Sequence, residues 1–130
     1  MKRINKMVLI VDDIDDVRES LALLFIDEGY DVVQASNGLS AIKSIEENDV
    51  DLLITDILMP DMDGVELINA AKEICPNLKT IAISGGGRRL SEDNEYDYLR
   101  VIKKLTTVDE VLKKPFNPAE ILSISEALLV

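Results

Sequence analysis

The sequence predicts an α/β fold, a doubly wound parallel sheet of five strands covered by five helices. Short β-branched runs alternate with longer stretches whose apolar residues recur at helical spacing. The central short runs are continuously apolar, as strands buried on both faces must be. Most connections are brief, so each crossover returns the chain to the same sheet in the right-handed sense.

Taken in order, the strands are Met7 to Val11 (MVLIV), Asp31 to Gln34 (DVVQ), Leu52 to Thr55 (LLIT), Thr80 to Ile83 (TIAI) and the less regular Glu110 to Lys113 (EVLK). Val17, Leu21, Leu24 and Phe25 form one helical stripe after the first strand. Residues 39–47 and 64–74 supply the next two helices. Tyr98, Val101, Ile102 and Leu105 fall at i, i+3, i+4 and i+7 for a fourth, and residues 117–129 make the fifth. The segment Gly85-Gly86-Gly87 through Asp93 exceeds the usual strand-to-helix connection and reads as a mobile loop. In open sheets of this kind ligands sit beyond the carboxyl ends of the strands, where strand order reverses. The residues just past each strand are therefore the candidates for function.

Composition removes several classes of activity. A chain of 130 residues, 47% of them hydrophobic, builds one core and is short for two domains. One domain over residues 1–130, with no output domain attached, is expected. Fourteen Lys and Arg against 25 Asp and Glu give a formal charge of -11, which repels nucleic acid and anionic lipid. The chain has no histidine, so it carries neither a His-based catalytic site nor its own phosphohistidine. Cys75 stands alone and cannot close an internal disulfide. With no leader pattern and no long apolar run, a soluble cytoplasmic protein is expected.

The strand ends carry the chemistry. Asp12 and Asp13 come after the first strand, Asp56 after the third, Ser84 after the fourth and Lys114 after the fifth. Carboxylates brought to one edge repel unless a cation neutralises them, and an all-oxygen set suits a hard divalent ion. The Ser84 hydroxyl and the Lys114 ammonium are what an incoming phosphoryl group needs for charge stabilisation. Each residue alone has a plainer reading: Asp12 or Asp13 as a helix cap, Asp56 and Ser84 as turn residues, Lys114 as a solvated surface group. Their joint placement favours the site.

Val8-Leu9-Ile10-Val11-Asp12-Asp13, then Asp56-Ile57-Leu58-Met59-Pro60-Asp61-Met62-Asp63-Gly64, then Ser84, then Lys114-Pro115-Phe116 together resemble the receiver domains of two-component response regulators, over residues 6–129. The resemblance implies the flavodoxin-like sheet order 2-1-3-4-5. It implies that Asp56 accepts a phosphoryl group from a phosphohistidine on a sensor histidine kinase or phosphotransfer protein, forming an acyl phosphate. It implies Mg²⁺ or Mn²⁺ bound by Asp13, Asp56 and the backbone carbonyl of Leu58, with Asp12 acting mainly through water. Lys114 would pair with phosphoryl oxygens, the Ser84 hydroxyl would swing toward them, and the Lys114-Pro115 bond would be cis. On this reading the chain is a signalling phospho-acceptor, with self-phosphorylation and self-dephosphorylation as its only reactions.

Three features depart from that pattern. The stretch from Ser84 to Lys114 is longer than the family's, the strand-five position that often carries an aromatic switch is Val111, and Thr106-Thr107 replaces the usual glycine before strand five. Output is therefore expected through Ser84, Gly85, Gly86 and the loop they open, since Val111 has no ring to rotate. Two other functions compete. One is a pseudo-receiver that binds partners without taking phosphate. The other is a haloacid-dehalogenase-like phosphatase, because Asp13-Ile14-Asp15-Asp16-Val17 fits D-x-D-x-V, although no Asp occurs beyond Lys114 to complete its metal site. Dinucleotide binding is disfavoured because Asp12-Asp13 stands where a glycine turn would be required.

Overall fold

In the computed structural model, which describes residues 5–84 and 107–130, side-chain alternation along the strands builds two separate cores. Strand β1 (Met7–Val11) sends Val8 and Ile10 to one face and Leu9 and Val11 to the other, and all four are buried. Strand β3 (Leu52–Asp56) repeats the pattern, with Leu52 and Ile54 on the first face and Leu53 on the second. Helices α1 (Asp15–Asp27) and α4 (Pro118–Leu128) cover the first face through Leu21, Ala22, Phe25 and Ile121. Helices α2 (Gly38–Glu47) and α3 (Gly64–Ile74) cover the second through Ala41, Ile45, Leu67, Ile68 and Ala71.

Strands β2 (Asp31–Ala35), β4 (Lys79–Ser84) and β5 (Glu110–Lys113) complete a parallel sheet of order β2-β1-β3-β4-β5. The chain runs outward from β1 to β2, then returns to β3 on the other side of β1. Strand order therefore reverses between β1 and β3, and their carboxyl ends flank the crevice where such sheets bind ligands. The fold class and the sheet order match the expectation. Among the described residues there are four helices; the helix expected around Tyr98 to Leu105 and the Gly85 to Asp93 loop lie outside them.

Local chemistry fixes the element ends. Asn37 caps α2 by accepting from the Ser40 amide at 2.8 Å, and Asn117 caps α4 by accepting from the Ala119 amide at 2.8 Å, with Pro118 in the first turn. Asp63 and Glu66 form a capping box at α3. The edge strand β5 is stapled at its entry by Asp109. Its carboxylate accepts from the Thr80 amide (2.8 Å), the Thr80 hydroxyl (3.2 Å) and the Lys72 ammonium (3.1 Å).

Helix α1 ends in a Schellman motif. The Tyr30 amide donates to the Phe25 carbonyl and the Gly29 amide to the Ile26 carbonyl, with Gly29 at φ 96°. The Phe25 and Tyr30 rings meet at 5.5 Å between centroids, closing the motif with an apolar contact. A Cβ on Gly29 would touch nothing, so only the backbone conformation requires glycine there. Gly29→Ala is expected to cost about 1 kcal/mol, read as a fall of roughly 4 °C in thermal midpoint with the circular dichroism spectrum unchanged.

Candidate functional site

Asp56 is the last residue of β3, a strand buried along its whole length, so its backbone is fixed by the core. The Ile57 amide donates to the Ile83 carbonyl at 3.0 Å, and the Gly64 amide to the Ile57 carbonyl at 2.8 Å. These bonds fold the loop after β3 tightly against the strand. A Cβ on Gly64 would overlap the Asp56 carbonyl oxygen and lie 2.8 Å from the Ile57 Cα, so glycine is needed for that close approach.

Asp12 and Asp13 leave the neighbouring strand at the same height. One carboxylate oxygen from each of Asp12, Asp13 and Asp56 lies within 4.8 Å of the others. Asp12 and Asp56 are buried and Asp13 is exposed. Neither Asp12 nor Asp13 is the N-cap of α1. That position is Ile14, whose own amide donates to Asp12 Oδ1 at 2.9 Å. Asp12 thus uses one oxygen to shape its turn and turns the other toward Lys114.

Lys114 arrives from the end of β5, where its amide donates to the Ser84 carbonyl at 2.8 Å. Its Nζ stands 3.6 Å from Asp12 Oδ2 and 3.8 Å from Asp56 Oδ2. The Lys114-Pro115 bond is cis, as expected. Ser84 is buried at the end of β4. One strand end therefore brings each of Asp12, Asp56, Ser84 and Lys114 to the same edge. Leu58 lies in the loop after β3 with its side chain 40% exposed. Val111 is half-buried in β5 and packs on the α2 and α3 side of the sheet. Gly85 and Gly86 lie outside the described residues.

The Lys114 ammonium faces the carboxylates of Asp12 and Asp56, and at Asp56 its charge competes with burial. Burial pushes its carboxyl above the ordinary carboxylate value. Lys114 pulls it back, the charge of Asp12 raises it further, and the backbone amides of Leu58 and Ile57 lower it without cancelling the rise. Asp56 Oδ1 is buried, and no described group donates a hydrogen bond to it. An all-oxygen, net-anionic set with an unsatisfied buried acceptor suits a hard divalent cation.

Residues 8–126 match the family model of the response regulator receiver domain. The chain belongs to this family. The receiver is 36% identical over 126 residues to the response regulator receiver protein CpdR of Brucella abortus, covering 96% of this chain and 98% of that one. Among solved structures it resembles a CheY-like receiver domain protein of Methanospirillum hungatei, with TM-score 0.81, 32% identity and coverage of 96% and 94%. It also resembles the response regulator TrrA of Thermotoga maritima, solved in complex with Mg²⁺ and BeF, with TM-score 0.79, 28% identity and coverage of 95% and 99%. Receiver domains are signalling modules of two-component systems, and phosphorylation on an aspartate is general to the family. The phosphatase alternative loses its second carboxylate: Asp15 lies on α1, 73% exposed, paired with Arg18 at 2.8 Å. Among the described residues no helix is long and apolar enough to cross a membrane.

Sequence reasoning did not single out Arg18, whose guanidinium reaches the Asp12 backbone carbonyl at 3.0 Å and Gln34 Oε1 at 3.2 Å. Its only signal in the sequence is the i, i+3 spacing from Asp15.

A carboxyl group whose folded value is raised weakens the fold above that value, and the penalty fades as pH falls through it toward the ordinary range of about 4. Asp56→Asn in metal-free buffer is therefore expected to melt above the wild type at neutral pH. The gap should close on acidification, as thermal scans in EDTA would record.

Proposed function

We propose that this receiver takes a phosphoryl group onto Asp56 from the phosphohistidine of a sensor histidine kinase or phosphotransfer protein. The observation that carries the reading is the convergence of Asp12, Asp13 and Asp56 within 4.8 Å beside Lys114. An Asp56 carboxylate oxygen forms the new bond to phosphorus, the P–N bond of the donor breaks, and the imidazole leaves with its electron pair. Asp13, Asp56 and the Leu58 backbone carbonyl would hold Mg²⁺ or Mn²⁺, with Asp12 acting mainly through water. Such an ion supplies neutralisation of the charge that accumulates on the phosphoryl oxygens.

Lys114 supports this role because its contacts to Asp12 and Asp56 are longer than a hydrogen bond, so its ammonium can turn to an arriving oxygen. The Ser84 hydroxyl, whose backbone is tied to Lys114, is the second group that would meet the phosphoryl group. Its movement, passed to Gly85 and Gly86, would change the surface offered to a partner. Val111 has no ring to take that part. An apolar groove of about 490 Å³ lined by Val17, Leu21, Leu24, Ile83, Phe116 and Pro118 opens beside Asp12 and Lys114, giving a donor protein a surface next to the acceptor. The chain acts on no separate substrate and operates in the cytoplasm.

Incubation with Mg²⁺ and acetyl phosphate is expected to place one phosphoryl group, labile to base and to hydroxylamine, on Asp56. Asp56→Asn and EDTA should each abolish it, and Asp13→Ala should remove most divalent-cation binding. Undiminished labelling in Asp56→Asn would sink the reading, and absence of label under every condition would leave the non-phosphorylated interaction module. Leu58 cannot orient a water molecule as a carboxamide can, so Leu58→Asn should speed loss of the phosphoryl group several-fold. Hydrogen exchange with and without BeF and Mg²⁺ is expected to show rising protection across residues 85–105. Unchanged protection there, with changes at Asp56, would assign the output to another surface.

A further inference from the structure

The guanidinium of Arg18, 13% exposed on α1, joins three pieces of chain at the edge that carries the acidic cluster. Nη1 donates to the Asp12 carbonyl oxygen at 3.0 Å, Nη2 meets Asp15 Oδ1 at 2.8 Å, and Nε donates to Gln34 Oε1 on β2 at 3.2 Å. Arginine alone offers several N–H donors in one rigid plane, so one side chain can serve a backbone carbonyl, a carboxylate and a carboxamide together.

The backbone contact matters most. The Asp12 carbonyl belongs to the peptide that joins Asp12 to Asp13, and its orientation sets where the Asp13 side chain starts. Asp12 is held from two further sides, by its amide to the Ala35 carbonyl at 3.2 Å and by its Oδ1 to the Ile14 amide. Asp13 is exposed, and among the described residues no hydrogen bond or ion pair restrains its carboxylate. Its place in the cluster is inherited from the peptide that Arg18 grips. A cation this near a cation site would ordinarily weaken it by repulsion, but pairing with Asp15 offsets that charge.

We propose that Arg18 is a positioning residue for the divalent-cation site, locking the Asp12–Asp13 peptide so that Asp13 is presented at ligand distance. The inference rests on the reading of Asp12, Asp13 and Asp56 as that site. Arg18 touches neither the ion nor the phosphoryl group, and it acts through geometry that a lysine cannot reproduce.

Titration with Mn²⁺ alone, monitored by electron paramagnetic resonance, tests it, with circular dichroism in EDTA to establish that each variant is folded. Arg18→Lys keeps the charge and loses the fork. It is expected to bind Mn²⁺ about tenfold more weakly, with a broadened bound-ion spectrum reporting looser coordination. A purely structural role would lower the melting temperature and leave both readouts of the folded variant at wild-type values, and that result overturns the proposal. Should Arg18→Lys fail to fold, Gln34→Ala decides. It removes one exposed outer contact, and a loss of roughly threefold is expected; unchanged affinity rejects the proposal. A wild type with no saturable Mn²⁺ site would remove the cation reading itself and this inference with it.

Discussion

One carboxylate oxygen from each of Asp12, Asp13 and Asp56 lies within 4.8 Å of the others, so the three must repel, and the fold leaves the two buried ones, Asp12 and Asp56, little room to separate. Asp56 ends a strand buried along its whole length and hydrogen-bonded to a neighbour on each side. Asp12 is held through its amide, its carbonyl and one carboxylate oxygen. Burial is the main reason the Asp56 carboxyl is raised, with the charge of Asp12 adding to it, and among the described residues no group donates a hydrogen bond to its Oδ1. Much of the neighbouring structure reads as a response to that crowding. Gly64 lets the loop fold close, the Ser84 carbonyl anchors the Lys114 backbone, and Arg18 braces the turn from outside.

Among the described residues, Arg18 and Lys114 do different work near the cluster because their contacts differ in kind. Arg18 is bound at 2.8 to 3.2 Å by three partners on three segments, one at each guanidinium nitrogen, an arrangement that resists movement. Lys114 stands at 3.6 and 3.8 Å from two carboxylates, attracted to both and fully engaged by neither. The first suits a fixed frame. The second suits a group that must meet an arriving anion.

Periodicity and strand-end chemistry made most of this legible in the sequence. The apolar alternation of MVLIV and LLIT gives the strands and their two-sided burial, and the order of Asp12, Asp13, Asp56, Ser84 and Lys114 along the chain gives the shared edge. Element ends moved by about one residue, and one such shift matters: Asp56 belongs to β3 rather than lying just beyond it. A cap at α1 by Asp12 or Asp13 was an equally readable alternative, and geometry alone decided against it. The Arg18 brace was not legible because its main target is a backbone carbonyl, which leaves no residue-type signature. The Asp109 staple joins residues 29 and 37 positions apart, beyond any local pattern.

The same alternation limits how this chain can change in length. Along β1 and β3 a single inserted or deleted residue would exchange the side chains of the two cores and carry Asp12 or Asp56 away from its partners in one step. Substitutions within these strands act locally, whereas a frame slip disrupts both faces and the site together. Differences in length are therefore tolerated in the connections of such a sheet rather than along β1 or β3.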